Sequence, residues 1–407
     1  MSATLKFGAG AWAAKAGSVL AYNDENNNFK PLPFTFTRAS TATRVNESGL
    51  IESVASGVPR IDFLNNADGH LLLEPSRTNS ALYSEQYGNS LINVTVSRND
   101  VSSPDGEVTA DRIIDNSSNG EHLLSYNSAG SVTNGASYTF SAFFKSDGTG
   151  GRGVIRFYTG AWQYSVYNLD SGSVSYTSGG TSNIVNYGDG WYRCSLTVTA
   201  VSDYSGLVGQ IGIANSSNKY TYQGASSLGV YFWGIQWEAG SYATSYIPTS
   251  GAAVTRAAET CNNGGNNQVI NSTEGVFYVE MNAFDNISRI SLSDGSSSNR
   301  VSFKIDANNI DFQYRIGGSY SYRVDVDIDT SNTNKIAMSF NNGVFVGYLN
   351  GVAIGNPISG ASLGQGVLNR LNFNDGNSAD SFEGNIKEVR VYDTALTDAE
   401  LQALTTI

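Results

Sequence analysis

The stretch WYRCSLTVTA, residues 191–200, alternates between two kinds of side chain. Tyr192, Cys194, Leu196 and Val198 occupy every second position, and mostly polar residues stand between them. A period of two is typical of a β-strand that turns one face to a core, because successive side chains of a strand point to opposite sides. The stretch therefore predicts a half-buried strand.

The same alternation continues on either side of this strand. It recurs in SYTFSAFFKSDG (137–148) and GVYFWGIQWEAG (229–240), and glycine-rich turn segments separate such stretches. The side chains expected to share a face are Tyr138, Phe140, Ala142 and Phe144 in the first stretch, and Tyr231, Trp233, Ile235 and Trp237 in the second. Regularly spaced strands joined by polar turns predict an antiparallel β-sandwich over residues 89–250.

A second sandwich is predicted after a break in this pattern. The small, polar segment SGAAVTRAAETCNNGGNNQ (250–268) indicates a linker, which we assign to residues 251–270. Alternation resumes at GVFYVEMNAF (275–284) and predicts a sandwich over residues 271–407. Near its end, Thr397 stands three residues before Glu400, the pattern of a helix capping box. One short C-terminal helix is therefore expected.

The first 88 residues have a different character. They contain short extended pieces and few large apolar side chains for their length. Residues 44–54, RVNESGLIESV, predict a hairpin in which Gly49 takes a positive φ. We expect residues 1–88 to be an irregular N-terminal region that depends on another domain or another subunit for its core. The predicted fold class is all-β throughout, apart from the single helix.

Composition excludes several kinds of partner. The formal net charge is −12 and no basic run offsets it, so binding to nucleic acid is not expected. No run approaches the roughly 18 apolar residues of a membrane-spanning helix, so membrane insertion is not expected either. The N-terminus lacks the apolar core of a signal peptide, which predicts a soluble protein made in a cytosol.

The sequence offers little catalytic chemistry. His70 and His122 are its two histidines, and no zinc, phosphate-loop or paired-carboxylate motif accompanies them. We therefore expect no enzyme, no cofactor and no metal site. One alternative stays open: Asp325, Asp327 and Asp329 fail the spacing of an EF-hand, and a strand with a solvated acidic face is expected, but calcium binding there is not decided.

Aromatic residues give the candidate ligand site. RFYTGAWQYSVYN (156–168) holds Tyr158, Trp162 and Tyr164 beside amide side chains, and aromatic rings can stack on sugar rings. Tyr314 and Tyr320, in DFQYRIGGSYSYR (311–323), form a second candidate. The alternative for both groups is packing in a sandwich core.

Several phrases resemble a known family. FTFTRASTATRVNESGLIESVASGVPRIDF (34–63), LLLEPSRTNSALYSE (71–85), GWYRCSLTVTA (190–200) and YFWGIQWEAGSYATSYIPTSGAAVTRAAE (231–259) resemble segments of structural proteins of tailed bacteriophages. In that family the last phrase closes a jelly roll similar to carbohydrate-binding modules. FEGNIKEVRVYDTALTDAELQAL (382–404) is similar to the final strand and helix of a laminin-G or concanavalin A-like lectin domain.

The resemblance implies a virion structural protein, a fibre, spike or decoration subunit assembled in the host cytoplasm. Residues 1–88 would attach it to other virion proteins, and the jelly-roll and concanavalin A-like sandwiches would adhere to host surface glycans. Arg38, Arg44 and Arg256 are expected to lock the N-terminal region to the sandwich through bidentate pairs with carboxylates; ordinary surface arginines are the alternative. A homo-oligomer, by analogy a trimer, is expected. The alternatives are a glycan-degrading depolymerase and a purely architectural subunit without a ligand.

Overall fold

The structure is a computed structural model that describes residues 2–23, 30–86, 90–284, 287–306 and 308–407. These residues form β-strands and one α-helix, which confirms the predicted all-β class. The chain divides into two compact units. The terminal unit comprises Met1–Thr41, Val54–Pro75 and Ala257–Ile407, and the central unit comprises Ala42–Ser53 and Ser76–Arg256.

The strands before residue 80 are β1 Leu5–Gly8, β2 Ala14–Lys15, β3 Ser18–Asn23, β4 Lys30–Thr37, β5 Ala42–Val45, β6 Ile51–Val54, β7 Arg60–Asp62, β8 His70–Leu73 and β9 Arg77–Asn79. Those of the middle of the chain are β10 Ser90–Ile92, β11 Val94–Val101, β12 Ala110–Asp115, β13 Asn119–Glu121, β14 Leu123–Val132, β15 Ser137–Ser146, β16 Arg152–Tyr158, β17 Trp162–Asn168, β18 Ser173–Ser178, β19 Thr181–Asn186, β20 Trp191–Thr199, β21 Tyr204–Ala214, β22 Thr221–Gln223, β23 Gly229–Ala239 and β24 Val254–Arg256. The remaining elements are β25 Thr260–Asn262, β26 Glu274–Ala283, β27 Ser288–Ser293, β28 Arg300–Asp306, β29 Asn309–Ile316, β30 Ser319–Asp327, β31 Asn334–Asn341, β32 Val344–Leu349, β33 Val352–Ser359, β34 Arg370–Asn372, β35 Gly384–Tyr392 and α1 Asp398–Thr405.

The central unit is a sandwich of two six-stranded sheets. One has the order β10-β14-β21-β16-β17-β18 and the other β11-β12-β23-β15-β20-β19, and the pairs are antiparallel. Their facing sides enclose one core, to which β20 contributes Cys194, Leu196 and Val198. This is the alternation predicted from WYRCSLTVTA.

Strand β23 departs from the predicted face. Phe232, Ile235 and Trp237 enter the core, whereas Trp233 packs outside it against Phe143. The cause is a register shift opposite β15 near Gly234, whose φ is +61°. A Cβ at this position would lie 2.9 Å from the Phe143 ring, so glycine is needed for the close approach as well as for the backbone angle.

The terminal unit is a larger sandwich. Its first sheet has the order β25-β4-β3-β1-β35-β26-β31-β32-β33, with β2 on β3, β8 on β35 and β7 on β8. Its second sheet has the order β30-β29-β28-β27-β34. Helix α1 begins after the N-cap Thr397, whose side chain accepts from the Glu400 backbone N–H, and it buries Leu401. The predicted capping box and helix are therefore confirmed.

The N-terminal region does not form a unit of its own, contrary to the boundary predicted at residue 88. Strand β1 pairs with β35, Leu5 lying opposite Val391, and β8 pairs with the same strand. Phe7 and Phe34 lie in the same core as residues of the C-terminal sandwich. The neighbour on which this region depends is thus the last third of its own chain. Residues 42–53, which include most of the hairpin of β5 and β6, belong instead to the central unit.

The predicted linker over residues 251–270 is also wrong. Its first part forms β24, which pairs with β9 in the central unit. Its second part forms β25, which pairs with β4 in the terminal unit. The small side chains of this segment, which led to the linker prediction, are instead those of short paired strands, and Glu259 between them is buried.

Candidate functional site

The centre of the candidate site is the hairpin of β16 and β17 in the central unit. Tyr158 and Trp162 stand directly opposite each other where the hairpin turns, and Arg156 stands opposite Tyr164. The guanidinium carbon of Arg156 lies 3.9 Å from the centroid of the Trp162 ring, within the range of a cation–π contact. Trp162 nevertheless remains 41% exposed. A buried arginine thus fixes the ring while leaving much of it to solvent.

Further rings surround this pair. The ring centroid of Tyr158 lies 5.2 Å from that of Trp162 and 4.9 Å from that of Tyr204. That of Tyr164 lies 5.2 Å from Tyr176 and 4.8 Å from Tyr220, mostly in tilted or edge-to-face arrangements. We call this set the aromatic platform: Tyr158, Trp162, Tyr164, Tyr176, Tyr204 and Tyr220, around Arg156.

A small apolar layer supports the platform. Leu123, Val154, Val166 and Ala214 form a buried cluster separate from the main core, and Tyr164 and Tyr220 pack on it. The main core takes the other side of the same strands, for example Ile155 and Phe157 of β16. The sheet therefore presents an aromatic face outward. Burial, together with the neighbouring Tyr176 hydroxyl, raises the pKa of Tyr164 to about 12, so this phenol stays neutral at physiological pH.

Polar groups border the rings. Arg156 Nη1 donates to Glu121 Oε1 at 3.0 Å, and Gln210 Nε2 donates to Ser125 Oγ at 2.7 Å. Gln210 stands directly opposite Arg156 in the sheet. The Arg156 Nε and the Gln210 Oε1 are both buried and lack a protein partner. Exposed rings bordered by polar side chains suit a ligand that offers both apolar C–H faces and hydroxyl groups.

The structure thus brings together Tyr158, Trp162 and Tyr164, the three residues predicted from the RFYTGAWQYSVYN stretch. Their neighbours were missed. Arg156 lies in the same stretch, and its position opposite Tyr164 follows once the turn at Gly160 is placed. Tyr220, in the segment that follows β21, also contacts the platform. Nothing in the local sequence pattern indicates this contact.

The two residues of the second candidate, Tyr314 and Tyr320, differ in their exposure to solvent. Tyr314 is a core residue: its side chain is fully buried, its hydroxyl donates to the Ser272 carbonyl at 2.9 Å, and it accepts from the Leu363 N–H. It cannot stack on a ligand, and the core alternative is correct for it. Tyr320 is 46% exposed, with the guanidinium carbons of Arg315 and Arg323 at 4.8 and 5.2 Å from its ring centroid. It belongs to the terminal unit.

The three predicted attachment arginines have different roles in the fold. Arg38 donates to Glu259 Oε1 at 2.7 Å with both side chains buried, a carboxylate pair inside the terminal unit. Arg44 pairs with Glu52 within its own hairpin, partly exposed. Arg256 is buried in the central unit, where Nη1 donates to Ser245 Oγ at 3.0 Å. Of these contacts, Arg38–Glu259 links N-terminal and C-terminal segments of one sandwich.

The acidic residues of β30 show no metal-site geometry. Asp325 lies 3.4 Å from Arg323 Nη2 and shares a strand with Asp327. Asp329 caps a turn by accepting from the N–H of Ser331 and from Asn332. In the part of the chain that the structure describes, no group of three His, Cys, Asp or Glu side chains could hold a metal ion.

Isolated carboxylates and histidines also have structural partners. Glu238 is buried and accepts from Gln236 and Thr244, and Glu280 pairs with Lys387 at 3.0 Å. The His122 ring lies within hydrogen-bond distance of two backbone carbonyl oxygens, and His70 lies 3.6 Å from Asp62. No helix within the described ranges is long and apolar enough to cross a membrane.

The C-terminal strands and helix carry a family signature. Residues 276–402 match the Concanavalin A-like lectin/glucanases superfamily. The match spans about a third of the chain and lies wholly within the terminal unit. It supports the predicted lectin-like fold for this sandwich. No curated protein matches the chain significantly.

Similar solved structures share low identity with the chain. The Ruminococcus gnavus IT-sialidase CBM40 bound to alpha2,3 sialyllactose is 20% identical over 35% of this chain and 93% of its own, with a TM-score of 0.30. Domain 4 of AbnA, an arabinanase from Geobacillus stearothermophilus, in complex with arabinotriose is 19% identical over 40% of this chain and 82% of its own, with a TM-score of 0.29. Domains LG4-5 of the mouse laminin alpha1 chain are 11% identical over 69% of this chain and 90% of their own, with a TM-score of 0.25.

Proposed function

We propose that this chain is a bacteriophage virion structural protein, a fibre, spike or decoration subunit, that adheres to host surface glycans through the aromatic platform of its central unit. The virion role rests on the resemblance of residues 34–63 and 231–259 to phage structural proteins. The adhesive role is supported by the lectin superfamily match of residues 276–402 in the terminal unit. Both roles need experiments of their own.

One observation carries the adhesive role. Trp162 is 41% exposed although Arg156 stacks on it and Tyr158 borders it. A large apolar ring held in one orientation loses little conformational entropy when a sugar stacks on it. Weak binding by one copy is sufficient, since several copies on a particle raise avidity by roughly 10²–10⁴.

A glycan array probed with the full chain tests this proposal. Trp162→Ala is expected to lower affinity for any bound glycan by about tenfold or more, because it removes the stacking ring. Trp162→Phe should retain part of the binding. Val108→Ala is the matched control, since Val108 is an exposed apolar side chain of the same unit outside the platform.

The outcomes separate the competing functions. Binding that survives Trp162→Ala unchanged would move the adhesive site away from the platform, and a silent array with firm incorporation into particles would favour a purely architectural subunit. The proposal also holds that the chain binds glycans without cleaving them. Release of reducing sugar from host polysaccharide by the unmodified chain would overturn that part.

The proposal includes assembly as a homo-oligomer on the particle, with a trimer favoured by analogy with phage fibres. The physical argument from an incomplete N-terminal core no longer applies, because Leu5 and Phe34 are buried inside the terminal unit. The proposal of an oligomer now rests on the avidity that several copies provide and on the analogy with phage fibres. Light scattering on the purified chain measures the number of copies, and immunogold electron microscopy of particles tests the virion location.

A further inference from the structure

A polar cleft lies in the central unit, apart from the residues of the aromatic platform. Its volume is about 430 Å³, within the size range of small-molecule sites. Its walls include Arg77, Tyr138 and Trp237, and its remaining lining is mostly serine and threonine. None of the candidate site residues predicted from the sequence lines it.

Arg77 is held firmly at this cleft. Its Nη1 donates to the Ser76 carbonyl at 3.1 Å, and its guanidinium carbon lies 5.4 Å from the Tyr242 ring centroid. The guanidinium also rests against Gly240, where a Cβ would lie 2.9 Å from Nε. Glycine at this position therefore leaves the space that the guanidinium occupies. A long cationic side chain fixed from three sides is preorganised for a ligand.

Trp237 is fixed beside Arg77 by the backbone. Its carbonyl accepts from the Ser80 N–H at 2.8 Å, and its N–H donates to Asn79 Oδ1 at 3.0 Å. Its ring stacks on Tyr138 with centroids 5.4 Å apart and an interplanar angle of 7°. Tyr138 therefore covers one face of the indole and holds Trp237 in the wall of the cleft.

Two buried donors of this cleft have no protein acceptor. Both the Arg77 Nε and the Trp237 Nε1 are shielded and unpartnered. Trp237 as a whole is 5% exposed. A buried N–H group is normally paired, and leaving it unpaired is destabilising. Arg77 and Trp237 thus each hold one N–H group that has no protein acceptor.

The cleft also lacks a negative charge. Arg77 has no carboxylate partner within ion-pair distance among the described residues. Directly opposite it, across the ladder of β9 and β24, stands Arg256 rather than an acidic residue. A carboxylate matches the guanidinium fork and accepts several hydrogen bonds.

We propose that this cleft binds the carboxylate of an acidic sugar unit, a uronate or similar sugar acid. The carboxylate accepts from the Arg77 guanidinium. The hydroxyls of Ser76, Ser80 and Ser131, which line the same cleft, exchange hydrogen bonds with the sugar hydroxyls. The site is distinct from the aromatic platform and does not depend on it.

Calorimetric titration of the full chain with D-glucuronate, D-glucose and acetate tests the assignment. Glucuronate is expected to bind at millimolar concentration, and the neutral sugar and the bare carboxylate more weakly. Arg77→Gln should weaken glucuronate binding by about tenfold or more, because the charge-assisted pair is lost. Gly240→Ala should weaken it too, by displacing the guanidinium. Arg98→Gln, at a partly exposed arginine of the same unit outside the cleft, is the control.

Equal binding of glucose and glucuronate, or glucuronate binding unchanged in Arg77→Gln, overturns the proposal; binding of acetate as tight as glucuronate overturns its sugar component. Trp162→Ala is titrated in parallel and should retain glucuronate binding. Loss of array binding in that variant with glucuronate binding intact separates the platform from the cleft, so either site can fail without the other. Melting temperatures of all variants show whether each one is folded.

Discussion

The carboxylate of Glu259 and the guanidinium of Arg38 lie 2.7 Å apart, and neither side chain is accessible to solvent. Arg60 donates to both oxygens of the same carboxylate, and also to Glu74 at 2.8 Å. Burial alone lowers the pKa of Arg60, but Glu259 and Glu74 reverse this and raise it above its ordinary value. Four charges from three separate chain segments thus neutralise one another inside the terminal unit.

Replacing Glu259 by glutamine is expected to destabilise the terminal unit strongly. The change removes the carboxylate that both Arg38 and Arg60 bind while their guanidiniums stay buried, and breaking a buried ion pair from one side costs about 3–5 kcal/mol. Urea unfolding of the full chain measures the loss. Glu52→Gln is the matched control, because Glu52 and its partner Arg44 are partly exposed and such a pair is worth about 0–1 kcal/mol. A loss of stability in Glu259→Gln as small as that in Glu52→Gln would show that the buried network adds no stability.

Part of this architecture can be predicted from the sequence. The face that β15 and β20 turn to the core follows from their period of two, because strand geometry alone imposes it. The pairing of Leu5 with Val391 does not follow, since the two residues are nearly a chain length apart and no local pattern states which strand closes a sheet. The reversal in β23 also escapes the pattern, because a bulge at Gly234 changes the face without interrupting the apolar run.

Acid is expected to weaken the terminal unit through His70. Burial lowers the pKa of His70 below its ordinary value of about 6.5, Asp62 opposes this, and Arg60 lowers it further. The unfolded chain then binds the proton more readily than the native one. The free energy of unfolding therefore falls as the pH drops below about 6.5 towards the native pKa. Urea unfolding across this range should show a smaller pH slope for His70→Gln than for the unmodified chain; identical slopes would contradict the assignment.

Truncation should destabilise the central unit much less at Trp162 than at Trp191. Trp162→Ala removes an exposed ring and its contact with Arg156, worth about 1 kcal/mol at such a site. Trp191 is 1% exposed and donates from Nε1 to the Ser102 carbonyl at 3.1 Å, so Trp191→Ala should cost about 3–5 kcal/mol. Chemical unfolding compares the two. A loss at Trp162 as large as at Trp191 would return Trp162 to the packing alternative.

The candidate site was predictable where it is local. Tyr158, Trp162 and Tyr164 belong to one hairpin, so their proximity follows from the turn between them. The burial of Tyr314 was not predictable, because an aromatic residue on a strand suits a core and a surface equally until its hydroxyl partner is known. The cleft at Arg77 and Trp237 joins residues 160 positions apart, and the sequence marks neither as lacking a partner.

A chain that begins at Asn89 is expected to lose the terminal unit and keep the central one. The truncation removes β1, β3, β4, β7 and β8 from the larger sheet, together with Arg38 and Arg60 of the buried ion network. It also removes Phe7 and Phe34 from the core of that unit, which exposes the apolar residues of the C-terminal segment that they cover. The cut also removes β5, β9 and the core residue Ala81 from the central unit, but both of its six-stranded sheets lie beyond the cut. Near-ultraviolet circular dichroism during urea unfolding should show one cooperative transition fewer than in the full chain, and limited proteolysis should degrade residues 257–407 first. Retention of every transition would mean that residues 1–88 are dispensable for the sandwich they pair with.

The same result affects how attachment to particles is tested. If the transition is lost, absence of the shortened chain from particles cannot be attributed to a missing attachment segment alone, because the lectin-like sandwich is lost at the same time. Attachment is then better tested in the full-length chain, with exposed residues of β2 such as Lys15 substituted one at a time.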